Sequence, residues 1–197
     1  MSQLATGRPG RPAASTRQAA LALAQDRFLA GERIDVQAIA RDLGLARATM
    51  HRWFQTRDAL LGETIAALAE RRVAAARRAI PGSGAVALLA TCDRINREFA
   101  SSHGLRALLM QEHDRALRIL TSSAGVVQPR LVSAVERFID AEIDAGTFAS
   151  PVAPSVLAYS IVRLGEAFIY NDAVVGIKGD VERLLEVEAA LLGVSTL

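Results

Sequence analysis

Four hydrogen-bonding side chains, Arg47, Thr49, His51 and Arg52, share one short segment, Ala46-Arg47-Ala48-Thr49-Met50-His51-Arg52-Trp53-Phe54. An arginine near the start of a helix can present two parallel N–H groups to guanine O6 and N7, a fit that separates one base pair from the others. Arg47 holds that place. Thr49 can meet a phosphate or a thymine methyl, His51 can donate to a phosphate, and Arg52 and Arg57 offer phosphate-binding cations. Each has a plainer reading beside it. Arg47 can be a solvated surface arginine, and Trp53 and Phe54 can pack a core instead of touching a phosphate.

Such side chains read DNA only if a scaffold aims them. The preceding residues supply one: Asp35 can cap a helix from Val36 to Leu43, and Gly44 takes a tight turn where a positive φ is costly for other residues. Ala38, Ala40, Leu43 and Leu45 are small or aliphatic, so two helices can cross at close range. The spacing predicts a helix-turn-helix whose second helix enters the major groove. Ahead of it, Ser15 or Thr16 caps a helix to about Ala30, with Ala20, Leu21, Ala24, Phe28 and Leu29 at helical spacing. Behind it, Thr56 caps a long helix from Arg57 to about Ile80. Asp58 in its first turn and Arg77 and Arg78 in its last favour the helix dipole.

Pro81-Gly82-Ser83-Gly84 is the clearest break in the chain. Beyond it, apolar periodicity predicts helices near 85–101, 104–111, 112–122, 128–145, 152–173 and 179–192. No segment alternates as a strand does, so the expected class is all-α. The expected organisation is a flexible basic arm (1–14), a DNA-binding domain (15–56) and a helical ligand-binding and dimerisation domain (57–197).

Net charge is only +2, but its distribution is uneven. Residues 1–80 carry 13 Arg against 7 acidic groups, whereas residues 81–197 carry 10 basic against 14 acidic ones. A basic head on a mildly acidic body suits a nucleic-acid reader joined to a different kind of domain. The arm adds a doubled Gly-Arg-Pro, placing Arg8 and Arg11 where an extended chain can enter a narrow minor groove. A solubilising tail explains it equally well. The single cysteine, Cys92, rules out an intramolecular disulfide and fits a reducing, cytoplasmic setting. No apolar run reaches the roughly 18–20 residues of a membrane helix.

The order Ile39-Ala40, Gly44-Leu45, Ala48-Thr49-Met50, Phe54, Arg57, Leu60 resembles the TetR (tetracycline-repressor) family of transcriptional regulators. In that family the pattern reads Ile-Ala, Gly-Val, Gly-Thr-Leu-Tyr, Phe, Lys-Glu-x-Leu. The match covers about residues 15 to 62. Two letters differ: His51 stands where the family commonly has an aromatic, and Arg57 where it has Lys. The resemblance implies phosphate contacts at both, C-terminal helices that dimerise, and a small-molecule pocket whose occupant releases operator DNA. Arg118-Ile119-Leu120-Thr121-Ser122 and the stretch Arg163 to Asp172 further resemble the QsdR type of that family. That likeness implies a lactone or acyl-homoserine-lactone-related effector.

In the body, Tyr159, Arg163, Glu166 and Tyr170 recur at i, i+4, i+7 and i+11 along an otherwise apolar helix. A polar stripe in such a helix needs partners, from an internal network, a ligand or a second subunit. His113, Asp114 and Arg118 can line a pocket mouth or simply form a solvated face. The histidines stand too far from other donors for a metal site, and no cofactor is expected. No nucleophile elbow or phosphate-cradling glycine loop suggests an enzyme. The expected partners are double-stranded operator DNA, a small largely apolar effector and a second copy of the chain. A helical protein-interaction adaptor is the alternative, and it leaves the basic head unexplained.

Overall fold

Side-chain caps decide where the N-terminal helices begin. In the computed structural model, which describes residues 16–171 and 180–195, the Thr16 hydroxyl accepts from the Ala19 amide and opens α1 (Arg17–Leu29). The Asp35 carboxylate accepts from the Gln37 and Ala38 amides and opens α2 (Val36–Asp42). No side chain caps α3 (Arg47–Phe54). Thr56 accepts from the Ala59 amide at 3.0 Å and opens α4 (Arg57–Ala79), the longest described helix. Each cap satisfies an amide that the first turn leaves without an intrahelical partner.

The body continues with α5 (Gly84–Ala100), α6 (His103–Gln111), α7 (His113–Thr121) and α8 (Val127–Asp144). Then comes α9 (Pro154–Glu166), with proline at its start, where the missing N–H costs nothing. A π-helical turn, Ala167–Asn171, follows without a break. The last helix, α10 (Val181–Leu192), ends on Gly193 in a left-handed conformation. All regular elements among the described residues are helical, as expected for the all-α class. No described helix is long and apolar enough to cross a membrane. The arm with Arg8 and Arg11, Ser15, and the predicted extension of α9 past residue 171 lie outside the described residues.

Two buried apolar clusters meet inside α4. The first joins Ala20, Phe28, Ile39, Met50 and Phe54 of the head to Leu60, Leu61 and Ile65 of α4 and to Leu105 and Leu108 of α6. The second takes Ala69, Val73 and Ala76 of α4 with α5, α8, α9 and α10. The head's core therefore runs on into the near end of the body, and α4 is common to both. At its far end, Glu142 of α8 accepts from the Gly84 amide at 2.7 Å, the Thr147 hydroxyl at 2.7 Å and Arg77 at 2.6 Å. One buried carboxylate thus ties the ends of α4 and α8 to the start of α5.

Candidate DNA-reading face and effector chamber

The turn between α2 and α3 is built as the sequence requires. Gly44 has φ +62°, and the Leu45 amide donates back to the Ala40 carbonyl at 2.8 Å. In α3, Met50 and Phe54 lie one turn apart and are buried, which turns Arg47, His51 and Arg52 out to solvent and leaves Thr49 half-buried. Trp53 is half-buried against the same cluster and meets Phe54 edge to face at 6.4 Å between ring centres. Arg17 lies over the other side of this support, 4.9 Å from the Phe54 ring centre, and also pairs with Glu63. Arg47 and Arg52 make no ion pair among the described residues.

The helix ends abruptly. Gln55 has φ +56° and ψ −56°, with the Thr56 amide donating to the Phe54 carbonyl at 2.5 Å across it. This is a γ-turn in its rare positive-φ form, which costs energy in any residue with a Cβ. It sets the angle between α3 and α4 within a single residue.

Arg57, one of the expected phosphate contacts, is turned inward. Its Nε donates to the Ile34 carbonyl at 2.5 Å, and its two terminal nitrogens grip both Glu112 oxygens at 2.7 and 2.6 Å. Arg33 at 3.3 Å and Arg115 at 2.8 Å reach the same carboxylate. These hydrogen bonds, led by those of Arg57, outweigh partial burial and hold the Glu112 carboxyl down to about 2. Glu112 sits between α6 and α7, so this cluster fastens the α1–α2 connection and the start of α4 to the body. A second fastening lies close by. A Cβ on Gly104 would stand 2.0 Å from the Phe28 carbonyl oxygen, so α6 and the end of α1 touch backbone to backbone.

Two small cavities of about 30 Å³ each lie among the described residues, the first between α1 and the body and the second within the body. Each has room for a water molecule or little more. The first is lined chiefly by Phe28, Leu29, Ile65, Leu68 and Leu105, the second by Cys92, Asn96, Ile161, Gly165 and Glu166. Phe99, Leu131 and Tyr170 line both and form the wall between them.

The expected ligand residues divide between inside and outside. Glu166 and Tyr170 are buried at the cavities, whereas Tyr159, Arg163, His113 and Arg118 are not among the residues lining either one. Tyr159 is 48% exposed, with the Arg163 guanidinium 6.0 Å from its ring centre. Arg163 pairs with Glu166 at 2.7 Å and donates to the Thr121 carbonyl at 3.3 Å, while Gln128 donates to both Glu166 oxygens at 3.3 Å. The stripe thus joins an internal network at Glu166, and its outer half faces solvent. Burial pushes the Glu166 carboxyl and the Tyr170 phenol above their ordinary ranges. Arg118 is exposed, and His113 is half-buried with its Nδ1 enclosed and unpaired. Cys92 is buried among apolar neighbours, which raises its thiol and suits a packing residue better than a reactive one.

Sequence reasoning missed a third buried carboxylate. Glu188 of α10 is fully enclosed and accepts from the Asn96 amide nitrogen at 3.0 Å to each oxygen, and burial raises it to about 7. A signal was present: Glu188 falls on the apolar line of Val181, Leu184 and Leu192, where a carboxylate must find an internal partner.

Comparison with known proteins agrees with this arrangement. Residues 83–193 match the family model of the tetracyclin repressor-like, C-terminal domain. The fold also matches the structure of the "R. erythropolis transcriptional repressor QsdR from TetR family", with a TM-score of 0.83 and 30% sequence identity. That likeness covers 92% of this chain and 96% of the other, head and body together. No match emerges among curated protein sequences. With a helix-turn-helix head, a helical body and a family match over most of that body, the chain belongs to the TetR family of transcriptional regulators.

Proposed function

We propose that this regulator is a repressor that binds a pseudo-palindromic operator as a homodimer and releases it when a small, largely apolar effector enters the body. The observation that carries the reading is the solvent-facing charge of Arg47 and Arg52 on α3, which has no ion-pair partner among the described residues. Arg47 reads a guanine, Thr49 and His51 support it, and Arg52 holds a phosphate, with Arg8 and Arg11 of the arm reaching the minor groove. Twofold symmetry sets two α3 helices in successive major grooves about one helical turn apart.

Exposed apolar residues on one stretch, Val152, Val156 and Tyr159, support dimerisation through the C-terminal helices. The cavities at Tyr170 and Glu166 support an effector site inside the body. A lactone or acyl-homoserine-lactone-related effector is the narrower reading, and it follows the likeness to the QsdR type. The protein acts by binding and carries out no reaction, in the cytoplasm. Duplex binding measured between about 50 and 200 mM salt tests the reading. Several phosphate contacts per dimer lower the affinity on the order of a hundredfold or more across that range. A flat salt response would leave the adaptor reading in its place.

A further inference from the structure

Beside the first cavity lies an open cleft of about 400 Å³, lined by Leu29, Arg72, Glu98, Ser101, Ser102 and His103. Leu29, Arg72 and Ser102 line both, so the cleft adjoins the cavity where a mouth to it would stand. The cavity in turn shares the wall of Phe99, Leu131 and Tyr170 with the second one. Cleft, first cavity and second cavity therefore lie in series, polar at the outer end and apolar through the middle.

The mouth carries one cation with hydrogen-bonding capacity to spare. Arg72 uses Nη1 on the Glu98 backbone carbonyl at 3.1 Å and makes no ion pair among the described residues. The Glu98 carboxylate at the same rim is held by Arg94 at 3.1 Å. A guanidinium in this state offers a fork of N–H groups that fits a carboxylate or phosphate. Behind it the lining turns to Phe28, Leu68, Phe99 and Leu105. Voids of about 30 Å³ in a row admit a thin chain with far less displacement than a bulky ring needs.

We infer that the effector is a linear amphiphile with an anionic head group, taken in tail first and held at the mouth by Arg72. The inference rests on the ligand-responsive reading above and narrows it to one entrance and one ligand class, with an anionic head group in place of the intact lactone. It also gives the ligand a direct hold on the head. Phe28 and Leu29 belong to α1, so a chain that widens the first cavity presses on the helix that carries the DNA-reading unit.

Calorimetry on the full chain with decanoate, decanol and N-decanoyl-homoserine lactone tests it, with operator release followed in parallel. Decanoate is expected to bind at least tenfold tighter than decanol and than the uncharged lactone. Arg72→Gln is expected to remove that preference while leaving decanol binding unchanged, and Arg72→Lys to retain most of it. Leu68→Trp, which fills the first cavity, is expected to abolish binding of all three with the helical circular dichroism intact. Equal affinity for decanoate and decanol in the wild type would overturn the inference, whatever the variants do. So would tighter binding of the lactone, or unchanged binding in a folded Leu68→Trp protein. Salt-dependent operator binding would survive each of those results and keep the regulator reading. Carboxylate-selective binding without any operator binding would remove the regulator reading instead.

Discussion

On α3, Arg47 and Arg52 stand in solvent without an ion-pair partner among the described residues, whereas at the seam between head and body Arg33, Arg57 and Arg115 converge on the one carboxylate of Glu112. The side chains are of one kind and all but Arg115 lie in neighbouring stretches of sequence, yet their surroundings are opposite. A guanidinium paired inside the protein fixes the relative position of two elements. One left unpaired keeps its field available to an anion from outside. Arg57 shows how the choice is made. It opens a helix beside a DNA-reading unit, as a phosphate contact should, but Glu112 reaches it first.

The sharpest way to break the contrast is to remove the shared carboxylate. Glu112→Ala leaves Arg57 partly buried without its partner and is expected to cost about 3 kcal/mol in urea unfolding. Acid provides a second handle. The Glu112 carboxyl is lowered from its ordinary value to about 2, so its contribution is full above the ordinary carboxylate range and fades as pH falls toward 2. Wild type and variant should therefore converge in stability near pH 2. A constant gap across that range would mean that Glu112 acts by packing.

The complementary change is Arg47→Ala. Specific operator affinity is expected to fall by about 1–3 kcal/mol, with thermal stability and dimerisation unaltered in calorimetry and sedimentation. Unaltered operator affinity would class Arg47 as an ordinary surface charge and dissolve the comparison from the other side.

A smaller effect is expected deep in the body. Glu188 is raised to about 7, so native stability declines as pH rises from the ordinary carboxylate range through 7. Glu188→Gln keeps a polar partner for Asn96 and removes the buried charge. It should raise stability by on the order of 1–2 kcal/mol at pH 8 and change little at pH 5. A loss at both values would mean that the carboxylate is needed for more than its hydrogen bonds.

Local chemistry made much of this fold legible. The Thr16, Asp35 and Thr56 caps and the Gly44 turn act within three or four residues of themselves, and each helix they open stands where the sequence puts it. The stripe of Tyr159, Arg163, Glu166 and Tyr170 shows where such reading stops. A helical projection records angle and discards position along the axis. Tyr159 and Glu166 share an angle, but Tyr159 is 48% exposed and Glu166 only 6%. The π-turn from Ala167 then shifts the phase before Tyr170 is reached. Partners at long range left no trace either. Arg57 meets Glu112 across 55 residues and Asn96 meets Glu188 across 92, and nothing near either pair in sequence points to the other member. Glu188 alone could be suspected, from its place on an apolar line.

The contact between Gly104 and the Phe28 carbonyl has a mechanical meaning. Repulsion between atoms in contact rises steeply on approach and attraction falls off gently on separation, so the two backbones can hardly be driven closer but can tilt apart. Such a point is a fulcrum. A body that strains against the head at this place turns it more readily than it translates it. Travel then grows with distance from the pivot, so the groups nearest Gly104 move least while those further out sweep a longer arc.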